Sequence, residues 1–221
     1  MKAVRRSMRR LLTRSREPYI VFDVGSCDGK QFLERCRRDR DTVVYAFEPE
    51  PESFAAVCRN TEGVDNFHAF RMAVTDEDGS RQFKVSSVIG NHSFHEFVAD
   101  VNATWKSPYV DRIPWLPDFR KEEDITVETT RLDTFMAKMR ISHVSFLHID
   151  AQGEDLNVLK SLGEKARVVR AGVIEVCLKP LYVNHFTKAE ALATLDRLGF
   201  RVTRIEPDYF GLVENVYFVR G

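Results

Sequence analysis

The stretch Tyr19-Ile20-Val21-Phe22-Asp23-Val24-Gly25-Ser26-Cys27-Asp28-Gly29-Lys30 constrains this chain more than any other. A short apolar run ends in an acid, turns through glycine and hands over to an amphipathic segment at residues 31–38. That order is the grammar of a first strand, a tight loop and a first helix in a doubly wound α/β domain. Ligands of such sheets bind at the carboxyl ends of the strands, where the strand order reverses. A ligand is therefore expected near residues 23–29.

The rest of the chain repeats the alternation. Residues 42–47 read as a buried parallel strand, apolar on both faces, and residues 53–60 as a helix with Phe54, Val57 and Cys58 inward. Residues 66–74 read as one strand, closed by the turn Asp76-Glu77-Asp78-Gly79. Residues 81–85 are expected to return from that turn as a hairpin arm. Strands follow at 125–130, 144–149 and 168–176, with helices through Leu132, Phe135 and Met139, at 153–162 and at 188–198. Gly163 is expected to stop the second of these helices. Residues 201–205 and 212–220 complete a terminal hairpin through Pro207-Asp208-Tyr209-Phe210-Gly211. The expected fold is a Rossmann-like doubly wound sheet, mostly parallel, with an antiparallel C-terminal edge hairpin.

Between residues 86 and 124 the periodicity dissolves, although Trp105, Tyr109 and Trp115 argue against disorder. This insertion is read as a lid or specificity region. Its aromatic side chains either stack on an acceptor or pack the lid on the domain. A length of 221 residues suits one domain, at 19–221, preceded by a basic arm at 1–18. Residues 1–16 hold seven Lys and Arg and no acid. They read as a leader helix packing Val4, Met8, Leu11 and Leu12 on the domain; a transit peptide or an arm for an anionic surface are the alternatives. No apolar run is long enough for a membrane span, and zero formal net charge gives no sign of a nucleic-acid partner. Four cysteines without CxxC or zinc spacing read as reduced thiols in the cytoplasm.

The dinucleotide fingerprint needs glycine at three loop positions, which here are Gly25, Cys27 and Lys30. Two of the three fail, and Asp28 would repel a pyrophosphate. A cofactor without phosphates and with positive groups fits better, as S-adenosylmethionine does with its sulfonium and ammonium. Glu48, at the end of the second strand, is placed to accept both ribose hydroxyls. Asp28 is also suited to cap the helix that follows.

Phe22-Asp23-Val24-Gly25-Ser26-Cys27-Asp28-Gly29, Phe47-Glu48-Pro49-Glu50-Pro51, Arg131-Leu132-Asp133, Ile149-Asp150-Ala151-Gln152-Gly153-Glu154-Asp155 with Leu159-Lys160, and Ile174-Glu175-Val176 together resemble the FkbM-type methyltransferases. The resemblance runs over residues 19–176 and is weakest in the insertion. It implies a class I S-adenosylmethionine-dependent methyltransferase fold and O-methylation of a hydroxyl on a saccharide or secondary metabolite. The cofactor set carried over is Asp23, Gly25, Ser26, Asp28, Gly29, Glu48, Pro49 and Ala73. The family pattern has an asparagine-like residue in place of Asp28 and lysine in place of His148.

For methyl transfer to an alcohol the protein must supply orientation and a base. His148 and Asp150, at i and i+2, share one strand face. Either is a candidate base, with Glu175 of a neighbouring strand orienting the pair or the substrate. Asp150 is alternatively a helix cap, and Glu154 and Asp155 read as acids complementing a helix dipole. A metal held by His148, Asp150 and Glu175, or by His92 and His95, lacks defined spacing, and no metal is expected. The expected partner is a small-molecule or saccharide acceptor. N-methylation of a small amine and a non-catalytic cofactor-binding scaffold are the rival functions.

Overall fold

The computed structural model describes residues 17–105, 119–207 and 211–221. Its central sheet has seven strands: β1 (Tyr19–Val24), β2 (Thr42–Phe47), β3 (Phe67–Phe70), β7 (Phe146–Ile149), β8 (Ala171–Cys177), β9 (Phe200–Pro207) and β10 (Val213–Arg220). Their spatial order is β3-β2-β1-β7-β8-β10-β9. The first five are parallel to their neighbours, whereas β10 runs antiparallel to both β8 and β9. The expected fold class is thus realised, with the reversal of strand order between β1 and β7.

Alternate residues of β1 feed two cores, as strand geometry requires. Val21 packs with Cys36, Val44, Ala46, Val57 and Phe67, under α1 (Leu33–Arg38) and α2 (Pro51–Asn60). Phe22 packs on the opposite face with side chains of α4 (Leu132–Lys138), α5 (Asp155–Lys160) and α6 (Lys188–Arg197). Phe135 of α4 is the hub there. Its ring meets Phe47 at 4.8 Å and Phe70 at 4.9 Å, both edge-on, a geometry that aromatic quadrupoles favour.

A second sheet of three strands stands beside the first, in the order β4-β6-β5. It comprises β4 (Ala73–Val74), β5 (Gly79–Ser86) and β6 (Lys121–Thr130). Two expectations are corrected here. Residues 66–74 are not one strand: the chain breaks at Arg71-Met72, leaving β3 in the main sheet while β4 pairs in parallel with β6. Residues 81–85 do not fold back on the preceding strand either. β5 pairs antiparallel with β6, across the whole insertion. The turn between β4 and β5 is directed to this position by Asp78. Its carboxylate accepts from Arg131 N–H and from the Thr130 and Thr134 hydroxyls at the start of α4.

Smaller differences follow from local chemistry. The helix expected at 153–162 is the shorter α5, followed by a 3-10 turn at Gly163–Val168 rather than a stop. The insertion contains a short helix, α3 (Val101–Thr104). Trp105 donates from its indole to Pro180 O and packs edge-on against Phe119, so it seats this segment on the domain. Most of the basic arm, Tyr109, Trp115 and Asp208 to Phe210 lie outside the described residues. All four cysteines are free thiols, and no described helix is long and apolar enough to cross a membrane.

Candidate active site

At the strand-order reversal the loop after β1 is pinned between its neighbours. Gly25 and Ser26 N–H both donate to Phe47 O at the end of β2, and Asp150 N–H donates to Val24 O. Gly25 has φ +80°, and a Cβ there would stand 1.8 Å from Asp150 O. Only glycine lets the loop lie against the end of β7.

These strand ends open on a cleft of about 210 Å³. Gly25, Cys27, Glu48 and Pro49 form one wall, and Asp150, Gln152 and Glu154 form the other. Ala73, Val74 and Phe83 of the second sheet close its side. Against the expected cofactor set, Gly25, Glu48, Pro49 and Ala73 line the cleft. Asp23 lies beneath it, wholly buried. Asp28 lies in an adjoining groove of about 690 Å³, and Gly29 packs against Val57 of α2. Asp28 does not cap α1, whose N-cap is Phe32; its carboxylate turns back to Lys30 N–H and Nζ instead.

Glu48 is 6% exposed. Its carboxylate accepts Cys27 N–H at 2.9 Å and Glu50 N–H at 3.0 Å, so backbone amides aim it. Burial raises its pKa to about 8 despite those two donors. Asp23, His148 and Val173 form one row across β1, β7 and β8. Asp23 Oδ1 meets His148 Nδ1 at 2.8 Å, and Phe32 stands edge-on to the imidazole at 5.7 Å. Burial lowers the His148 pKa, but the Asp23 contact and the charges of Asp150 and Asp155 together leave the value raised. Asp150 keeps part of its surface on the cleft while protein crowds its other sides, and that crowding pushes its pKa up.

Asp150 does not cap α5. Its Oδ1 accepts Gln152 Nε2, while Asp155 accepts Ala151 and Gly153 N–H. Burial takes Asp155 to about 7. Glu175 is on β8 opposite Asn215, on the His148 and Asp150 face, and is not among the residues lining the cleft.

The opposite wall holds residues that sequence reasoning missed. Glu154, expected only as an acid complementing the helix dipole, is 1% exposed. It accepts from the Thr75 hydroxyl at 2.8 Å and Asn157 Nδ2 at 2.9 Å, with Arg81 and His95 at 3.4 and 3.1 Å. Burial raises its pKa, yet His95, Asn157, Thr75 and Arg81 together bring it to about 2. Gln152, Asn91, Ser93 and Tyr182 also meet here. The signal available in sequence was Gln152 itself, inside the Ile149–Asp155 motif but read only for its acids. His92 and His95 diverge: His92 Nδ1 accepts Ser86 N–H, whereas His95 faces Glu154. No cluster of three metal-ligating side chains occurs among the described residues.

S-adenosylmethionine fits this arrangement. Asp23 Oδ2 and Ser26 Oγ are buried without a protein partner beside the glycine loop, and buried polar atoms of this kind call for a partner from outside the chain. Glu48 presents an aimed carboxylate suited to ribose hydroxyls.

Comparison with known proteins agrees. The family described as Methyltransferase FkbM domain matches residues 23–202. The 2-O-methyltransferase NoeI of Sinorhizobium fredii is 26% identical over 63% of this chain and 56% of its own length. Methyltransferase 1 of Beauveria bassiana is 26% identical over 86% of this chain and 75% of its own. The hexuronic acid methyltransferase AglP of Haloferax volcanii is 24% identical over 76% and 60%. The chain thus spans little more than half the length of two of these curated relatives. Among solved structures, magnesium protoporphyrin IX methyltransferase from Synechocystis, with bound cofactor, aligns over 100% of this chain and 79% of its own. It does so at 11% identity with a TM-score of 0.50. Aeropyrum pernix fibrillarin with S-adenosyl-L-methionine aligns over 92% and 66% at 10% identity and the same TM-score, so the likeness is one of fold. With its class I fold and its matched motifs, the chain belongs to the FkbM-domain methyltransferases, a family that depends on S-adenosylmethionine.

Proposed function

We propose that this protein transfers a methyl group from S-adenosylmethionine to a hydroxyl of a saccharide. The observation that carries the reading is one cleft with the aimed Glu48 carboxylate on one wall and the part-exposed Asp150 carboxyl on the other. The names of two relatives, a 2-O-methyltransferase and a hexuronic acid methyltransferase, support a saccharide hydroxyl as acceptor.

In this reading Gly25, Glu48, Pro49 and Ala73 hold the cofactor, with Asp23, Ser26, Asp28 and Gly29 shaping the loop around it. When bound, S-adenosylmethionine supplies the electrophilic methyl group. An alcohol attacks poorly until its proton is removed, and a placed base contributes about 10²–10⁴-fold. Asp150 is our candidate base, because it faces the cleft and its crowding raises its affinity for a proton. His148 supports it from behind. Nδ1 bonded to Asp23 leaves Nε2 as the basic nitrogen, able to take the proton onward. Glu175, on the same face of the neighbouring strand but off the cleft, is left the role of orienting the His148–Asp150 pair.

The test is purified protein with methyl-labelled cofactor and a panel of saccharides and amines, followed by the site of label. Alkali-stable label on a sugar oxygen, with S-adenosylhomocysteine formed in equal amount, is expected. Label on nitrogen would replace the reading with N-methylation, and tight cofactor binding without transfer to any acceptor would favour a scaffold. Asp150→Asn is expected to lower kcat about 10²-fold or more with cofactor affinity kept.

A further inference from the structure

Between β5 and α3 the chain crosses the mouth of the cleft as a strap, residues 87–98. Gly90, His92 and Phe94 of this strap line the cavity. The strap is held by backbone at Ser93, to Lys84, and at Glu96 and Val98, to Val183 and Leu181, and its side chains meet the opposite wall at Gln152 and, through His95, at Glu154. Asn91 Nδ2 donates to Gln152 Oε1 at 2.9 Å, and Ser93 Oγ donates to Gln152 O at 2.6 Å. Tyr182, 1% exposed, donates its hydroxyl to the same Oε1 at 2.9 Å. Its ring stacks on Phe97 of the strap at 5.4 Å. At its other end the same amide donates from Nε2 to Asp150 Oδ1.

Two features single Gln152 out. It has φ +50°, a left-handed backbone that side chains other than glycine, asparagine and aspartate seldom take, and such strain persists only where the surroundings enforce it. Its amide is also fully committed in a fixed sense. A carboxylate accepts only, so Nε2 must face Asp150 and Oε1 must face the donors of Asn91 and Tyr182. An amide that loses its donors from the strap side is free to turn, and Nε2 then leaves Asp150.

We infer that Gln152 is the positioning residue through which closure of the strap sets the Asp150 carboxyl for reaction. The strap contacts Gln152, and Gln152 contacts Asp150, so an open strap leaves the carboxyl free to rotate away from the acceptor. Acceptor binding under a closed strap and orientation of the base then become one event. This rests on the proposed role of Asp150 in methyl transfer.

Three variants separate the two arms of the latch. Gln152→Leu removes both. Gln152→Glu keeps an acceptor for Asn91 and Tyr182 but loses the donor to Asp150. Tyr182→Phe leaves the Gln152 and Asp150 side chains unchanged and loosens the strap. Each is assayed for kcat, acceptor KM, the pH dependence of kcat and amide hydrogen exchange over residues 87–98, the last without cofactor or acceptor. Gln152→Leu is expected to lower kcat at least tenfold, to move the acidic limb of the pH profile upward and to raise strap exchange at least tenfold. Gln152→Glu should reproduce the kcat loss and the pH displacement with little change in exchange. Tyr182→Phe should raise exchange and acceptor KM and move its acidic limb in the same direction by a smaller amount, because the loosened strap no longer holds the amide toward Asp150. A variant that unfolds shows itself by exchange across the whole sheet, and the two others then decide. A pH profile unmoved in both Gln152 variants, or unmoved in Tyr182→Phe while its strap exchange rises, with wild-type transfer intact, would overturn the inference. Absence of transfer by the wild type would instead overturn the role assigned to Asp150, and the exchange data would still report on the latch.

Discussion

The two walls of the cleft are built by different means. The loop wall, from Gly25 to Pro49, is made of backbone: amides aim Glu48, a carbonyl anchors Gly25 and Ser26, and a missing Cβ lets the loop meet β7. The strap wall is made of side chains that reach across long stretches of sequence, from Thr75 to Glu154, Asn91 to Gln152 and Tyr182 to Gln152. Backbone geometry is set by a few residues in one short segment and tolerates little change. Side-chain geometry spreads over many positions and is exchangeable piece by piece.

The sharpest way to break the comparison is Gly25→Ala. The new methyl would meet Asp150 O at 1.8 Å on a backbone at φ +80°, so the loop must move. Strain and clash together are expected to cost about 3 kcal/mol or more. Calorimetric titration with S-adenosylhomocysteine and thermal melting should both show the loss. Binding of near wild-type strength would mean that the loop wall is as adaptable as the strap wall.

The same division explains what was legible in the sequence. The loop, Glu48 and the alternating strands follow from local pattern: residue type, spacing and the turn chemistry of glycine. Phe22 to Gly25 needs no distant partner to be recognised. The strap wall has no such signature. Glu154 looks like any acid at the start of a helix until Arg81 and Thr75 are brought to it by a second sheet. That sheet was itself hidden, because β5 pairs with β6 across the insertion and nothing in Arg81 to Val85 names its partner. The break at Arg71-Met72 was equally silent, since a strand of two residues carries no period. Gln152 shows the limit clearly: its place in the motif beside Asp150 is visible, but Asn91, Ser93 and Tyr182 reach it from distant parts of the chain.

Glu154→Gln tests whether the strap wall depends on charge. The carboxylate sits at about 2 against an ordinary value of 4.5, and it is almost wholly buried. Its ionised form therefore stabilises the fold by about 3 kcal/mol. Glutamine keeps some of the hydrogen bonds, so a loss of about 2 kcal/mol is expected at pH 7 in urea unfolding. Because the folded pKa is depressed, this stabilisation is complete above about 4.5 and fades as pH falls toward 2. The gap between variant and wild type should accordingly narrow at pH 3. A constant gap would mean that packing rather than charge holds this wall.

Glu48→Gln asks the matching question of the loop wall. Hydroxyl donors favour the carboxylate, and burial has raised its pKa to about 8. Cofactor affinity should rise with pH up to about 8 and then level off, with a proton released on binding below that point. Glutamine should flatten this dependence and weaken affinity above pH 8 by about 1.5 kcal/mol, the low end for a hydrogen bond to a charged group. Affinity independent of pH in the wild type would place the cofactor's hydroxyls elsewhere.

The smallest change separates the walls most cleanly. Ser93 Oγ donates to Gln152 O and accepts His95 N–H at 3.0 Å, and the residue is buried. Ser93→Ala leaves both backbone groups without that partner, at a cost of about 1 kcal/mol. None of these atoms belongs to the loop that holds Glu48. Turnover and acceptor KM should therefore change by a few-fold while cofactor affinity, measured by titration, stays within error. If cofactor affinity falls in step with turnover, the strap supports the loop, and the cleft has one coupled wall rather than two.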